Sequence, residues 1–168
     1  MKLEFVKIAQ IVNAHGIRGE VRAVPLERTP EFLTRIATFY LDGQPVVPTA
    51  NHVHKGFALL KFPGVEDMNA ALALKGKVLS VRREDAPLGP GEYFDAELPG
   101  LEVYSADTGE SLGKLTLVED YPAHKVYTVR GAREYLIPAV PGVFIQSVDL
   151  ENGRMEVHML EGLETDAD

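Results

Sequence analysis

The chain has 168 residues, 45% hydrophobic and 25% charged, which suits one ordinary domain or two small ones with real cores. It holds no cysteine, which removes disulfides, thiolate metal sites and cysteine nucleophiles, and no apolar run is long enough for a signal peptide or membrane span, so a cytoplasmic protein is expected. The net charge of −8 argues against a chain that coats nucleic acid uniformly, yet residues 1–85 hold 12 Lys and Arg against 9 Asp and Glu (net +3), whereas residues 86–168 hold 5 against 16 (net −11).

In chain order, FVKIAQIV (Phe5 to Val12) alternates apolar and polar residues, NAHGIRG supplies a turn, and EVRAVPL resumes the alternation, which predicts a hairpin. FYLDGQPVVP predicts a second hairpin with Asp42 and Gly43 in the turn, and GFALLKF (Gly56 to Phe62) predicts a mostly buried strand. VEDMNAALALK is the clearest helix, with acids at its start, Met68, Ala71 and Leu72 at helical spacing, and Gly76 as a C-terminal cap; the strand KVLSVR follows. The segment APLGPGE, Ala86 to Glu92, packs two prolines and two glycines into a linker or stiff loop. Beyond it the pattern is almost wholly strands: LEVYS, LGKLTLVED, KVYTVR, EYLIPAV, VDLENG and RMEVHML, with Asn152 and Gly153 in a tight turn. The expected fold is therefore all-β: two small barrels over residues 1–85 and 93–162, a Pro/Gly linker at 86–92, one or two short helices, and an acidic tail at 163–168 expected to be disordered.

Motifs for catalysis are scarce. No glycine loop ends in Lys-Ser or Lys-Thr, and the serines 80, 105, 111 and 147 sit in strand or turn contexts rather than in a nucleophile elbow. His52 and His54 share a strand face but have no third ligand at metal-binding spacing, so a polar strand face is the favoured reading. The acids around Asp95 and Glu97 would suit an acid/base pair, against which stands the commoner fate of carboxylates beside a linker, solvated surface. In AHGIRGE, by contrast, Gly16 and Gly19 permit a turn that leaves His15 and Arg18 projecting from a hairpin tip in the basic half, where a phosphate or RNA contact is expected.

Four segments in order, VKIAQIVNAHGIRGEVRAVP, NAALALKGKVLSV, GEYFDAELPGLEVY and LIPAVPGVFIQSVDLENGRMEVHMLEGL, closely resemble the ribosome maturation factor RimM family over nearly the whole chain. The resemblance implies an N-terminal barrel like the second domain of translation elongation factors and a C-terminal PRC-barrel. It implies a monomeric, non-catalytic assembly factor without cofactor or metal. Such a factor binds the immature small (30S) ribosomal subunit and its 16S rRNA, with ribosomal protein 19 of the small subunit as partner, and promotes maturation of the rRNA head domain. An acidic C-terminal half would attract a basic ribosomal protein while the basic half approaches phosphates.

Carried over residue by residue, the family's paired aromatics fall on Tyr93 and Phe94, and its acidic-Leu-x-Gly falls on Glu97, Leu98 and Gly100, a subunit-binding set. The second aromatic is more often tyrosine and the acid more often aspartate. In YPAHKVYTV, Lys125 stands where an acid is expected, which makes it a further candidate for rRNA phosphate. Phe94 is expected to point inward and Tyr93 to keep its hydroxyl at the surface. Two rival readings are a PRC-barrel adaptor that tethers an unrelated complex, and a small hydrolase using the acids around Asp95 and Glu97.

Overall fold

The structure is a computed structural model that describes residues 2–159 and 164–165. The chain divides into two compact units between Glu92 and Tyr93, each built on one seven-stranded sheet.

The N-terminal unit runs β1 (Phe5–His15), β2 (Glu20–Pro25), α1 (Pro30–Thr34), β3 (Phe39–Leu41), β4 (Gln44–Val46), β5 (Ala50–His54), β6 (Phe57–Lys61), α2 (Met68–Leu72) and β7 (Val78–Arg82). Its strands lie in the order β4-β3-β7-β1-β2-β6-β5, every neighbouring pair antiparallel. The alternation read in β1 and β2 is realised: Val6, Ile8, Val21 and Ala23 are fully buried, while Lys7 faces outward. β6 is buried at Ala58, Leu59 and Leu60 in succession, as its continuous apolar run suggested. α2 is shorter than the pattern implied. Asp67 caps it by accepting from the Ala70 amide at 2.8 Å, and after Leu72 the chain passes through turns to Gly76. α1, which the apolar pattern did not reveal, is announced by Thr29-Pro30: the Thr29 hydroxyl accepts from the Phe32 amide at 3.3 Å and proline occupies the first helical turn. It buries Phe32 and Leu33 against β5 and β6.

The Pro/Gly segment is tied to the N-terminal unit rather than hanging free. Arg35 donates to the Pro87 carbonyl at 3.3 Å, Arg83 donates to the Glu92 carbonyl at 3.2 Å, and the Glu92 carboxylate accepts from the Gly89 amide at 3.2 Å. It is the stiff loop, not the loose tether, that prolines favour.

The C-terminal unit runs β8 (Glu102–Ser105), β9 (Ser111–Asp120), β10 (Lys125–Arg130), β11 (Glu134–Pro138), β12 (Ile145–Asp149), β13 (Arg154–Val157) and β14 (Glu164–Thr165), in the order β12-β13-β8-β9-β10-β11-β14. Its core gathers Leu98, Leu101, Val103, Leu115, Tyr127, Val129, Ile137, Ile145, Met155 and Val157. One pairing departs from the meander: β13 lies parallel to β8, with Met155 beside Val103. The β12–β13 turn holds itself through Asp149, whose carboxylate accepts from the Asn152 side chain at 2.7 Å and from its amide at 3.1 Å, which keeps that carboxyl below its ordinary pKa. The tail expected to be disordered, residues 163–168, falls largely outside the described residues; Glu164 and Thr165 pair with β11 opposite Tyr135 and Glu134.

Candidate interaction surfaces

At the start of the C-terminal unit, residues Asp95–Glu97 form a single turn of 3-10 helix with Phe94 in extended conformation just before it. The turn is closed twice. The Glu97 amide donates to the Phe94 carbonyl at 3.0 Å, and the Glu97 carboxylate reaches back to accept from the Phe94 amide, also at 3.0 Å. A carboxylate on a backbone N–H is a strong, charge-assisted bond, and here it is made out of contact with solvent. Phe94, Glu97 and Leu98 are all fully buried, so these three members of the expected contact set shape the surface rather than form it. Gly100 is exposed at the next bend, anchored by its amide to the Leu115 carbonyl at 2.8 Å.

Tyr93 divides the labour with Phe94 differently from expectation. Phe94 does point inward, but Tyr93 is half-buried against the C-terminal core and its hydroxyl bonds to that of Tyr127. Burial, reinforced by Tyr93, pushes the Tyr127 phenol well above its ordinary pKa. The Tyr93 hydroxyl is therefore engaged with a neighbour, while the ring is only partly covered by the C-terminal core.

Lys125, expected to reach for phosphate, is instead occupied. Its ammonium pairs with the Asp95 carboxylate and lies 3.9 Å from Asp120, directly opposite it across β9 and β10. Lys125 thus ties the β9–β10 hairpin to the turn after Phe94. With 39% of the Lys125 side chain exposed, solvent screens this pair. Lys125→Met should cost only about 0.5–1 kcal/mol in urea unfolding of the full chain, and Asp95→Asn in the Lys125→Met background should add little; a loss several times larger would show that the pair is central to the fold. Asp95 and Glu97 thus both hold structural partners, Lys125 and the Phe94 amide, in place of the free carboxylates an acid/base pair requires.

In the N-terminal unit the turn at residues 16–19 joins β1 to β2, leaving Ile17 73% exposed and Arg18 exposed beside it. His15, half-buried at the end of β1, accepts from Arg22 Nε at 3.2 Å and meets the His54 ring edge-on at 5.5 Å between centroids. Arg22 in turn lies over the Phe57 ring at 5.7 Å. The alternation in EVRAVP already points Arg22 outward, but nothing local reveals its partners. His52 and His54 do face the same side of β5, and among the described residues no group of three or more His, Cys, Asp or Glu side chains could hold a metal ion.

Family models match both units: one described as the RimM N-terminal domain over residues 6–86, and one described as the RimM PRC barrel domain over residues 95–163. Among curated proteins, "Ribosome maturation factor RimM" of Symbiobacterium thermophilum is 35% identical, with the match covering 95% of this chain and 94% of that protein. The protein of the same name from Caldanaerobacter subterraneus subsp. tengcongensis is 36% identical over 95% of this chain and 99% of its own. A solved structure of a 16S ribosomal RNA processing protein RimM from Pseudomonas aeruginosa, 26% identical, aligns over 92% of this chain and 97% of its own with a TM-score of 0.46. Two domain models in the expected order, together with relatives aligned end to end at more than 30% identity, establish that this chain belongs to the RimM family.

Proposed function

We propose that this protein is a non-catalytic, cytoplasmic ribosome assembly factor. In this reading it binds the immature small subunit as a monomer, docks ribosomal protein 19 of that subunit through its C-terminal unit, and promotes maturation of the 16S rRNA head domain. The observation that carries the reading is the end-to-end similarity to proteins named as ribosome maturation factors. The charge division adds a physical rationale. A C-terminal half at −11 attracts a basic protein and repels bare RNA, while a mildly basic N-terminal half bearing His15 and Arg18 at a hairpin tip is suited to phosphates. Binding an intermediate more tightly than the mature product shifts folding toward that intermediate without any bond being made or broken.

In the C-terminal unit the contact role falls to Tyr93 and exposed Gly100, with Phe94, Glu97 and Leu98 holding the turn in shape. Tyr93→Ala should weaken co-sedimentation with immature small subunits about tenfold or more while the circular dichroism spectrum is retained, and Tyr93→Phe, which keeps the ring, should bind nearly as well as wild type. Unchanged binding by Tyr93→Ala would remove this ring from the interface. The maturation role itself is tested by depleting the protein and following small-subunit rRNA precursors: accumulation is expected, and an unaltered precursor profile would contradict the proposal. Equal association with mature and immature subunits, or with neither, would favour an adaptor role instead.

A further inference from the structure

Two hairpins of the N-terminal unit meet in a closed ring of side chains that strand pairing alone does not require. Arg22 Nε donates to His15 Nδ1, the Arg22 guanidinium covers the Phe57 ring, Phe57 stands directly opposite His54 in the β5–β6 ladder, and the His54 ring returns to His15. His15 ends β1 and His54 ends β5, so the contact between their rings brings two hairpin tips together. One tip carries Ile17 and Arg18, and the other is the two-residue turn Lys55–Gly56.

The charge of this face is lopsided. Arg18, Arg22 and Lys55 are joined by His15, His54 and, on the same side of β5, His52. The acid that faces the ring is Glu20, opposite His15 on β2; across β6 it is opposite Lys61, whose ammonium is already bonded to Glu66 at 3.1 Å and to the Val65 carbonyl. Neither Arg18 nor Lys55 makes an ion pair among the described residues.

Lys55 adds a second, independent sign. Its φ is +49°, a left-handed conformation that Asn, Asp and Gly tolerate better; the matching position of the β3–β4 turn in the same sheet is Asp42, at +51°. A lysine in that conformation, exposed and without an ion-pair partner among the described residues, is a cation held against local backbone preference.

We infer that these two tips form one RNA-backbone-binding face, with Arg18, Arg22, Lys55, His15 and His54 on phosphates and exposed Ile17 against a sugar or base. The inference rests on the proposed rRNA-binding role and names the face that performs it. Guanidinium and ammonium groups interleaved with an aromatic and an exposed aliphatic side chain suit phosphate and nucleoside together, which an acidic peptide does not offer.

The test uses the full chain and a fluorescently labelled transcript of the 16S rRNA head domain. Wild type should bind the transcript, and Arg18→Gln should weaken that binding about three- to tenfold and flatten its salt dependence. Lys55→Asn should raise the thermal unfolding midpoint, because it relieves the turn, yet weaken binding about three- to tenfold and reduce the salt slope by about one. A purely structural Lys55 would not move stability and affinity in opposite directions. If wild type binds the transcript and these variants match it, the face is misplaced while the rRNA-binding role stands. If wild type does not bind the transcript at all, both fall. Displacement of the transcript from wild type by polyglutamate at equal charge concentration would indicate an acidic protein partner and overturn the RNA assignment.

Discussion

Replacing Phe94 by alanine should destabilise the protein by about 3–5 kcal/mol, seen as a large drop in the urea midpoint, because a fully buried aromatic leaves a cavity that its neighbours fill only in part. Its amide is also the group that the Glu97 carboxylate satisfies, so any shift of the backbone there disturbs a buried charge-assisted bond. Phe94→Leu, which refills much of the volume, should recover a large part of the loss. The consequence for interface mapping is direct. A paired Tyr93→Ala, Phe94→Ala variant would lose subunit binding through unfolding whether or not either ring touches a partner, so Tyr93 must be tested alone. A Phe94→Ala protein with an unchanged midpoint would show that the ring is not in a packed interior.

The second large effect is expected at Gly19. Its φ is +96°, and a Cβ there would fall well inside van der Waals contact with the Val65 carbonyl, the same carbonyl that accepts from the Lys61 ammonium. Gly19→Ala therefore meets two penalties, a left-handed backbone for an L side chain and a backbone collision, together about 2–5 kcal/mol. For a unit of this size that lowers the thermal midpoint by on the order of 10 °C or more. Gly16, three residues earlier, is the internal control. It also has positive φ, at +68°, but open space around it, so Gly16→Ala should cost only about 1 kcal/mol. Equal effects at the two glycines would mean that conformation alone, not contact with Val65, sets the cost.

Both results bear on the surfaces proposed to bind the ribosome. Gly19 seats the β1–β2 hairpin on the segment after β6, and that hairpin carries His15 and Arg18. Glu97 and Phe94 seat the turn that presents Tyr93. In each unit, then, the residue offered outward depends on a neighbouring residue whose own work is internal. Motif similarity alone marks both kinds of residue and cannot separate them.

Much of this protein was legible along the chain because its signals are local. Alternation in FVKIAQIV and EVRAVPL, the Asp42–Gly43 and Asn152–Gly153 turns, and the proline-glycine break before Tyr93 each depend on a few adjacent residues. The structure forms strands at the first two and turns at both dipeptides. What tertiary structure alone decided concerns residues far apart in sequence. The parallel pairing of β13 with β8, the capture of Lys125 by Asp95, and the meeting of His15 with His54 all join such residues. Side-chain periodicity reports which face a residue occupies, not what stands on the far side of that face. For a charged residue the far side is decisive: the same carboxylate or ammonium is a contact for a partner when it meets water, and part of the scaffold when it meets a backbone amide or an opposite charge.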